Sequence, residues 1–417
     1  MKALKPLSDE WGKRLFFFMT ASAIAPLYFE DLATVSGIFF VFILLFLMGF
    51  SKEHSDQKMT TLEKGWLWVS AIYALVFVFS FLLRPPYTDD GIWRLSAPGF
   101  ILLLLAWFWV GTKLNLSDFV MKSVAYSSLF FAVLLLIAEA YFSPNWSFSY
   151  RYGNVLADIG KTGFFLPLTA FLFGLLFLIK RQKHLLILFV IAFILSSWVG
   201  SRTALMMLAV PIVFISVYAI LNAKKIQANI KIMILIGALS LIGMASYMAK
   251  DKVLDTVRDY QLAQQNDFYS SLGLRMVMLD VGKEVIKDNF FTGVGPNKYK
   301  ESLKYYADKS SYSKEIKYKI TTFTHLHNQF LMDWVLSGVL GLLALLVFVF
   351  YPAIIFVRWF RLGYKLEAIY GIGFLVSIWF ILLFGALFTY TYTTILYMLS
   401  FGSVVAYSFA PKEKEIG

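Results

Sequence analysis

The sequence predicts an all-α, polytopic membrane protein. Of its 417 residues, 59% are hydrophobic and only 15% are charged, where a soluble domain carries about 25% charged residues. Apolar runs recur from one end to the other, each of about 17–25 residues, the length a helix needs to cross about 30 Å of hydrocarbon. The polar segments between the runs alternate between basic and nearly uncharged, as topology determinants do.

Taken in order, the runs predict about twelve spans, at 14–30, 33–50, 65–83, 97–112, 119–142, 162–180, 184–200, 203–221, 230–248, 328–357, 366–388 and 391–410. Only Glu30 and Asp31 separate the first two. The first follows a basic start, Met1 to Arg14, and passes Ala21-Ser22-Ala23 without stopping, so it reads as an uncleaved span and not as a signal peptide. An even number of spans places both termini on one side. The N-terminus, the segments 51–64, 113–122, 180–184, 222–231 and 358–365 and the C-terminus hold 20 Lys and Arg, against 5 in the short loops of the other side, Arg84, Arg94, Arg151, Lys161 and Arg202. That bias puts both ends in the cytoplasm. It also accounts for the net charge of +12, so no nucleic-acid partner is expected. Trp66, Trp68, Trp107, Trp109, Tyr390 and Tyr392 sit near the ends of runs and read as an interfacial belt. The absence of cysteine excludes disulfides, thiol catalysis and thiolate-bound metals.

One connection is long, about 249–327, and by the alternation it lies outside. The chain therefore divides into spans one to nine (1–248), this loop (249–327), and the last three spans with a cytoplasmic tail (328–417). A loop of that length is a functional insertion by default. Leu274, Val277, Met278, Val281 and Val285 mark an amphipathic helix within it, with Asp280, Lys283, Glu284 and Lys287 on the other face. Thr292-Gly293-Val294-Gly295-Pro296-Asn297 breaks that helix, and a second short helix is expected at 298–307.

Three places on the outer side could carry chemistry. Ser201 is an N-cap for span eight, which sets a helix N-terminus beside Arg202, an arrangement suited to phosphate; a snorkelling arginine would look the same. Arg275 stands on the amphipathic loop helix, where a headgroup-facing charge is the plainer reading. His325-Leu326-His327-Asn328 precedes span ten and holds two of the four histidines. An imidazole can serve as a base near neutral pH, and an interfacial histidine is the alternative. The i, i+2 spacing is poor for a shared metal and no third ligand is nearby. Asp89-Asp90 reads as a turn. No phosphate-binding loop, dinucleotide fingerprint or metalloprotease motif is present.

These residues resemble the superfamily of O-antigen ligases (WaaL) and polymerases (Wzy). His327-Asn328, followed after nine residues by Gly338-Val339-Leu340-Gly341, matches the ligase histidine motif. Ser201-Arg202-Thr203-Ala204 resembles the family's arginine at the start of an upstream span. Arg275 with Thr292-Gly293-Val294-Gly295-Pro296-Asn297 resembles its large periplasmic loop. The resemblance implies a GT-C-like helical fold in a bacterial inner membrane with the active site facing the periplasm. It implies transfer of a glycan from undecaprenyl diphosphate to a sugar hydroxyl of lipid A–core, with no metal or other cofactor. Arg202 and Arg275 would then hold the diphosphate and His327 would activate the acceptor. Arg151, His325 and Asn328 are expected as further substrate contacts. A one-step displacement would invert the anomeric centre, consistent with the lack of a carboxylate pair. A polymerase of lipid-linked repeat units is the nearest alternative. A non-enzymatic transporter of lipid-linked glycans is more distant, because charges at mid-membrane are scarce.

Overall fold

The computed structural model describes residues 9–28, 33–54, 58–114, 116–142, 159–199, 201–222 and 257–407. Among these the regular structure is helical throughout. Among the described residues, eight helices precede the long loop: α1 (Asp9–Tyr28), α2 (Ala33–His54), α3 (Thr61–Leu82), α4 (Asp89–Lys113), α5 (Ser117–Phe142), α6 (Ile159–Lys180), α7 (Lys183–Trp198) and α8 (Arg202–Leu221). The loop contributes α9 (Ser271–Asp288), α10 (Tyr299–Lys309) and α11 (Lys314–Thr322). Three helices close the chain, α12 (Gln329–Arg361), α13 (Lys365–Phe384) and α14 (Thr391–Tyr407). Span nine and the tail lie outside the described residues.

Seven of the described helices, α3, α4, α5, α6, α8, α12 and α13, contain segments long and apolar enough to cross a membrane. Their outward faces carry large apolar side chains, including Trp68, Phe79, Ile137, Ile220 and Leu340, a surface that suits lipid. The last helix, α14, is different. Every residue from Thr393 to Tyr407 is buried, because α14 runs against α4, α5 and α6. A helix that is apolar all round belongs inside a bundle.

Two aromatic residues depart from the expected interfacial belt. Trp66 and Trp107 are fully buried. Trp66 stacks on Phe348 at 5.7 Å between ring centres. Trp107 stacks on Phe16 and donates its indole N–H to Thr20 Oγ1 at 3.0 Å. The neighbouring Trp68 is 69% exposed and remains where a belt residue belongs. A run of aromatics reports both faces of its helix, and only packing separates them.

The loop helices form as their patterns predict, and residues 257–264 and 314–322 are helical besides. Leu274, Val277, Met278, Val281 and Val285 make the buried face of α9, which rests on α12. Ser270 caps α9 by accepting from the Gly273 amide. Tyr312 and Tyr306 donate to Asp280 and Asp288 on the opposite face, fastening the following segment to α9. Residues 314–322 form α11, beyond the single short helix expected after 298.

Residues 290–297 join this loop to the spans. At Gly338 the helix α12 breaks, with φ 67° and ψ −162°. The break frees the carbonyls of Val335 and Leu336, and the amides of Val294 and Gly295 donate to them at 2.7 and 2.9 Å. Val339 returns a bond to the Phe290 carbonyl at 3.0 Å. Backbone packs on backbone here: a Cβ on Gly293 would lie 2.6 Å from the Val335 oxygen. Asn297 ties the other end down. Its Nδ2 donates to the Phe81 and Arg84 carbonyls, and its Oδ1 accepts from the Thr88 amide. The glycine motifs are therefore one joint between α12, the loop and the α3–α4 turn.

Candidate functional site

The joint positions the histidines. Asn328 caps α12, accepting from the Leu331 amide at 2.9 Å and donating to the Leu383 carbonyl at 3.1 Å. Both ends of its amide thus serve the fold at this corner. Capping requires the chain to turn sharply just before the helix, and His327 takes φ 50°, a left-handed conformation uncommon outside glycine. Histidine, with asparagine and aspartate, adopts this conformation more readily than other side chains, and such positions cluster at functional sites.

The turn folds His327 back onto His325. His325 Nε2 and His327 Nδ1 are 3.2 Å apart. His325 Nδ1 lies 3.1 Å from Thr324 Oγ1 and 3.2 Å from the Tyr390 hydroxyl. Phe323 meets the edge of the His327 ring. The geometry allows two proton arrangements along this chain, and only one leaves His327 Nε2 with a free lone pair. In it, His327 Nδ1–H donates to His325 Nε2, and His325 Nδ1–H donates to Thr324 or Tyr390. His325 then orients its neighbour as a third group orients a general base.

Arg275, half-buried on α9, brings its charge to both rings. Burial first, and then the Arg275 guanidinium, lower the His327 pKa to about 4. Burial, the His327 ring, Arg94 and Arg275, in that order, lower that of His325 to about 3. Both rings are neutral at neutral pH, the form in which an imidazole accepts a proton.

Of the residues singled out from sequence, the structure therefore brings together His325, His327 and Arg275, with Asn328 at the corner. Ser201 is the N-cap of α8, accepting from the Ala204 amide at 3.0 Å, so the α8 N-terminus opens immediately at Arg202. Arg151 lies outside the described residues. Among the described residues no group of three or more His, Asp or Glu could hold a metal ion.

Sequence reasoning missed four participants. Thr324 and Tyr390 complete the histidine chain, and Tyr390 arrives from 65 residues away. Asp333, one turn into α12, is buried and accepts from Gln329 Nε2 at 2.6 Å and the Tyr73 hydroxyl at 3.0 Å. Arg94 was counted among the loop charges, but α4 begins at Asp89, so Arg94 is helical and only 5% exposed. Asp89 and Asp90 are the first turn of that helix rather than a loop turn, and Asp90 pairs with both Arg94 and Lys300. The i, i+4 spacing of Asp90 and Arg94 was the one available signal.

Residues 185–346 match the family model described as O-antigen ligase. The matched segment includes Arg202, Arg275, His325 and His327, whereas Arg94 and Tyr390 lie outside it. The chain is also similar to an uncharacterized protein of Haemophilus influenzae, 25% identical over 354 residues, covering 82% of this chain and 83% of the relative.

Proposed function

We propose that this protein is an O-antigen ligase. It transfers a glycan from undecaprenyl diphosphate to a sugar hydroxyl of lipid A–core on the periplasmic face of a bacterial inner membrane, without a metal and with inversion. About twelve spans in a GT-C-like arrangement, both termini in the cytoplasm, and the division at 249–327 belong to the same proposal. The observation that carries it is the neutral His325–His327 pair with the Arg275 charge beside it, inside a segment matching the O-antigen ligase family.

The chemistry follows from that arrangement. The diphosphate is a built-in leaving group, so the protein must orient the reactants and stabilise charge. The acceptor O–H gives its proton to His327 Nε2 as its oxygen bonds the anomeric carbon. The bond from that carbon to the diphosphate oxygen breaks, and undecaprenyl diphosphate leaves with the electron pair. The imidazolium formed on His327 is held by His325 Nε2. Arg275, and Arg202 at the α8 N-terminus, are placed in this proposal on the diphosphate, where a planar fork binds two oxygens at once. An anion there offsets the Arg275 charge and raises the basicity of His327 only when the donor is bound. Arg151 is retained as a further contact to the donor.

The test mixes purified protein with an undecaprenyl-diphosphate-linked glycan and lipid A–core lacking O antigen, in chelator and without ATP. A glycan ladder on the core that disappears with His327→Ala supports the reading. A core that stays bare while the lipid-linked glycan lengthens identifies a polymerase instead. Full activity in both Arg202→Lys and Arg275→Lys removes the assigned arginine roles.

A further inference from the structure

Arg94 has more hydrogen-bonding capacity than the fold uses. Its side chain is buried, and Nε donates to Asp90 Oδ2 at 2.9 Å. The guanidinium lies over the Tyr299 ring at 4.0 Å. Yet Nη1 and Nη2, both buried, have no hydrogen-bond partner among the described residues. Leaving donors of a cation unpaired in a dry site is costly, because nothing replaces the water they lose. A clamp between α4 and α10 would need only Nε and the ring face.

Arg94 lines a small cavity of about 10 Å³ with Thr389 and Asp333, room for about one oxygen atom. The Thr389 hydroxyl is also buried and without a hydrogen-bond partner among the described residues. The lining thus offers donors together with Asp333 carboxyl oxygens already oriented by Gln329 and Tyr73. A hydroxyl can serve both, accepting from Arg94 and donating to Asp333. Nearby, Trp93 is 40% exposed and meets the edge of Tyr390 at 6.1 Å. Tyr390 in turn touches His325. An aromatic shelf over a donor–acceptor pocket is the chemistry of a pyranose.

We propose that Arg94, Asp333 and Thr389 form a sugar subsite that seats one ring hydroxyl of a glycan beside the histidine pair, with the ring against Trp93. The glycan belongs either to the lipid-linked donor or to the lipid A–core acceptor. This rests on the glycosyl-transfer reading for the nature of the glycan, but it is tested by binding alone.

Full-length protein in nanodiscs is titrated with three probes: lipid A–core lacking O antigen, undecaprenyl-diphosphate-linked glycan, and sugar-free undecaprenyl diphosphate. Arg94→Lys keeps a cation for Asp90 and loses the fork. It should weaken one glycan-bearing probe at least tenfold, naming the sugar's source, and leave the sugar-free lipid unchanged. Lys300→Ala, which breaks the other Asp90 ion pair, should bind as wild type. If folded Arg94→Lys binds both glycan probes as wild type, the cavity seats only water and the subsite is refuted. If it loses sugar-free lipid equally, Arg94 is a phosphate cation and the subsite is again refuted. Arg94-dependent glycan binding by a wild-type protein that transfers nothing to the core would leave the subsite standing and refute the ligase reading.

Discussion

Gly338→Ala tests the joint on which Arg275 and His327 both depend. With φ 67° and ψ −162°, Gly338 occupies a region open essentially only to glycine, and holding alanine there costs about 1–3 kcal/mol. The new methyl would collide with the Phe291 carbonyl and come within 2.6 Å of the Thr292 amide. Relief requires residues 290–295 to lift away from α12. That motion breaks the bonds from Val294 and Gly295 to the freed carbonyls of Val335 and Leu336. The Val335 carbonyl, left unpaired, costs about 1–3 kcal/mol, whereas the Leu336 carbonyl keeps the Ser80 hydroxyl at 2.9 Å. The sum is about 2–6 kcal/mol, and even its lower end opens the joint about thirtyfold more often. Hydrogen exchange in detergent should therefore show the Val294, Gly295 and Val339 amides exchanging at least about thirtyfold faster. Transfer activity should fall with them. Gly99→Ala is the control, since nothing lies within 4 Å of a Cβ there. If the two variants exchange and melt alike, the joint does not depend on the conformation of Gly338 and the reasoning fails.

Three further outcomes follow from the same geometry. Arg275→Gln removes a cation facing His327, whose pKa of about 4 should rise toward about 6.5, its ordinary value. Because the neutral ring is the base, the acid limb of any residual transfer moves to higher pH; an unmoved imidazole titration by NMR would show that Arg275 does not act on it. His325→Ala removes the acceptor for His327 Nδ1–H and should lower kcat by about 10²-fold or more with donor KM unchanged, whereas Tyr390→Phe leaves Thr324 in place and should stay within about tenfold of wild type. Asn297→Ala deletes three side-chain bonds to Phe81, Arg84 and Thr88 and should cost about 2–4 kcal/mol; a melting temperature equal to wild type would mean the loop end is held by other contacts.

Local pattern was sufficient wherever the physics is local. Apolar run length gave the helices, because crossing hydrocarbon is a demand each segment meets alone. The stripe from Leu274 to Val285 gave α9, and Ser201 gave the start of α8, since caps and amphipathic faces are written within a few residues. The histidine motif was visible as a string. What the string means was not: Gly338 supplies a helix break, and Gly293 and Gly295 fill it from about 45 residues earlier. Trp66 and Trp107 looked like interfacial anchors and are core. Arg94 looked like a loop charge and is a buried guanidinium, and Asp333 was one acid in an apolar helix until Tyr73 and Gln329 converged on it. The sequence by itself determined the all-helical class, the apolar segments that form most of the described helices, and the side-chain types able to carry proton and phosphate chemistry. Tertiary structure alone decided which of them meet and which are dry, because burial and hydrogen-bond partnership are properties of neighbours brought together across hundreds of residues.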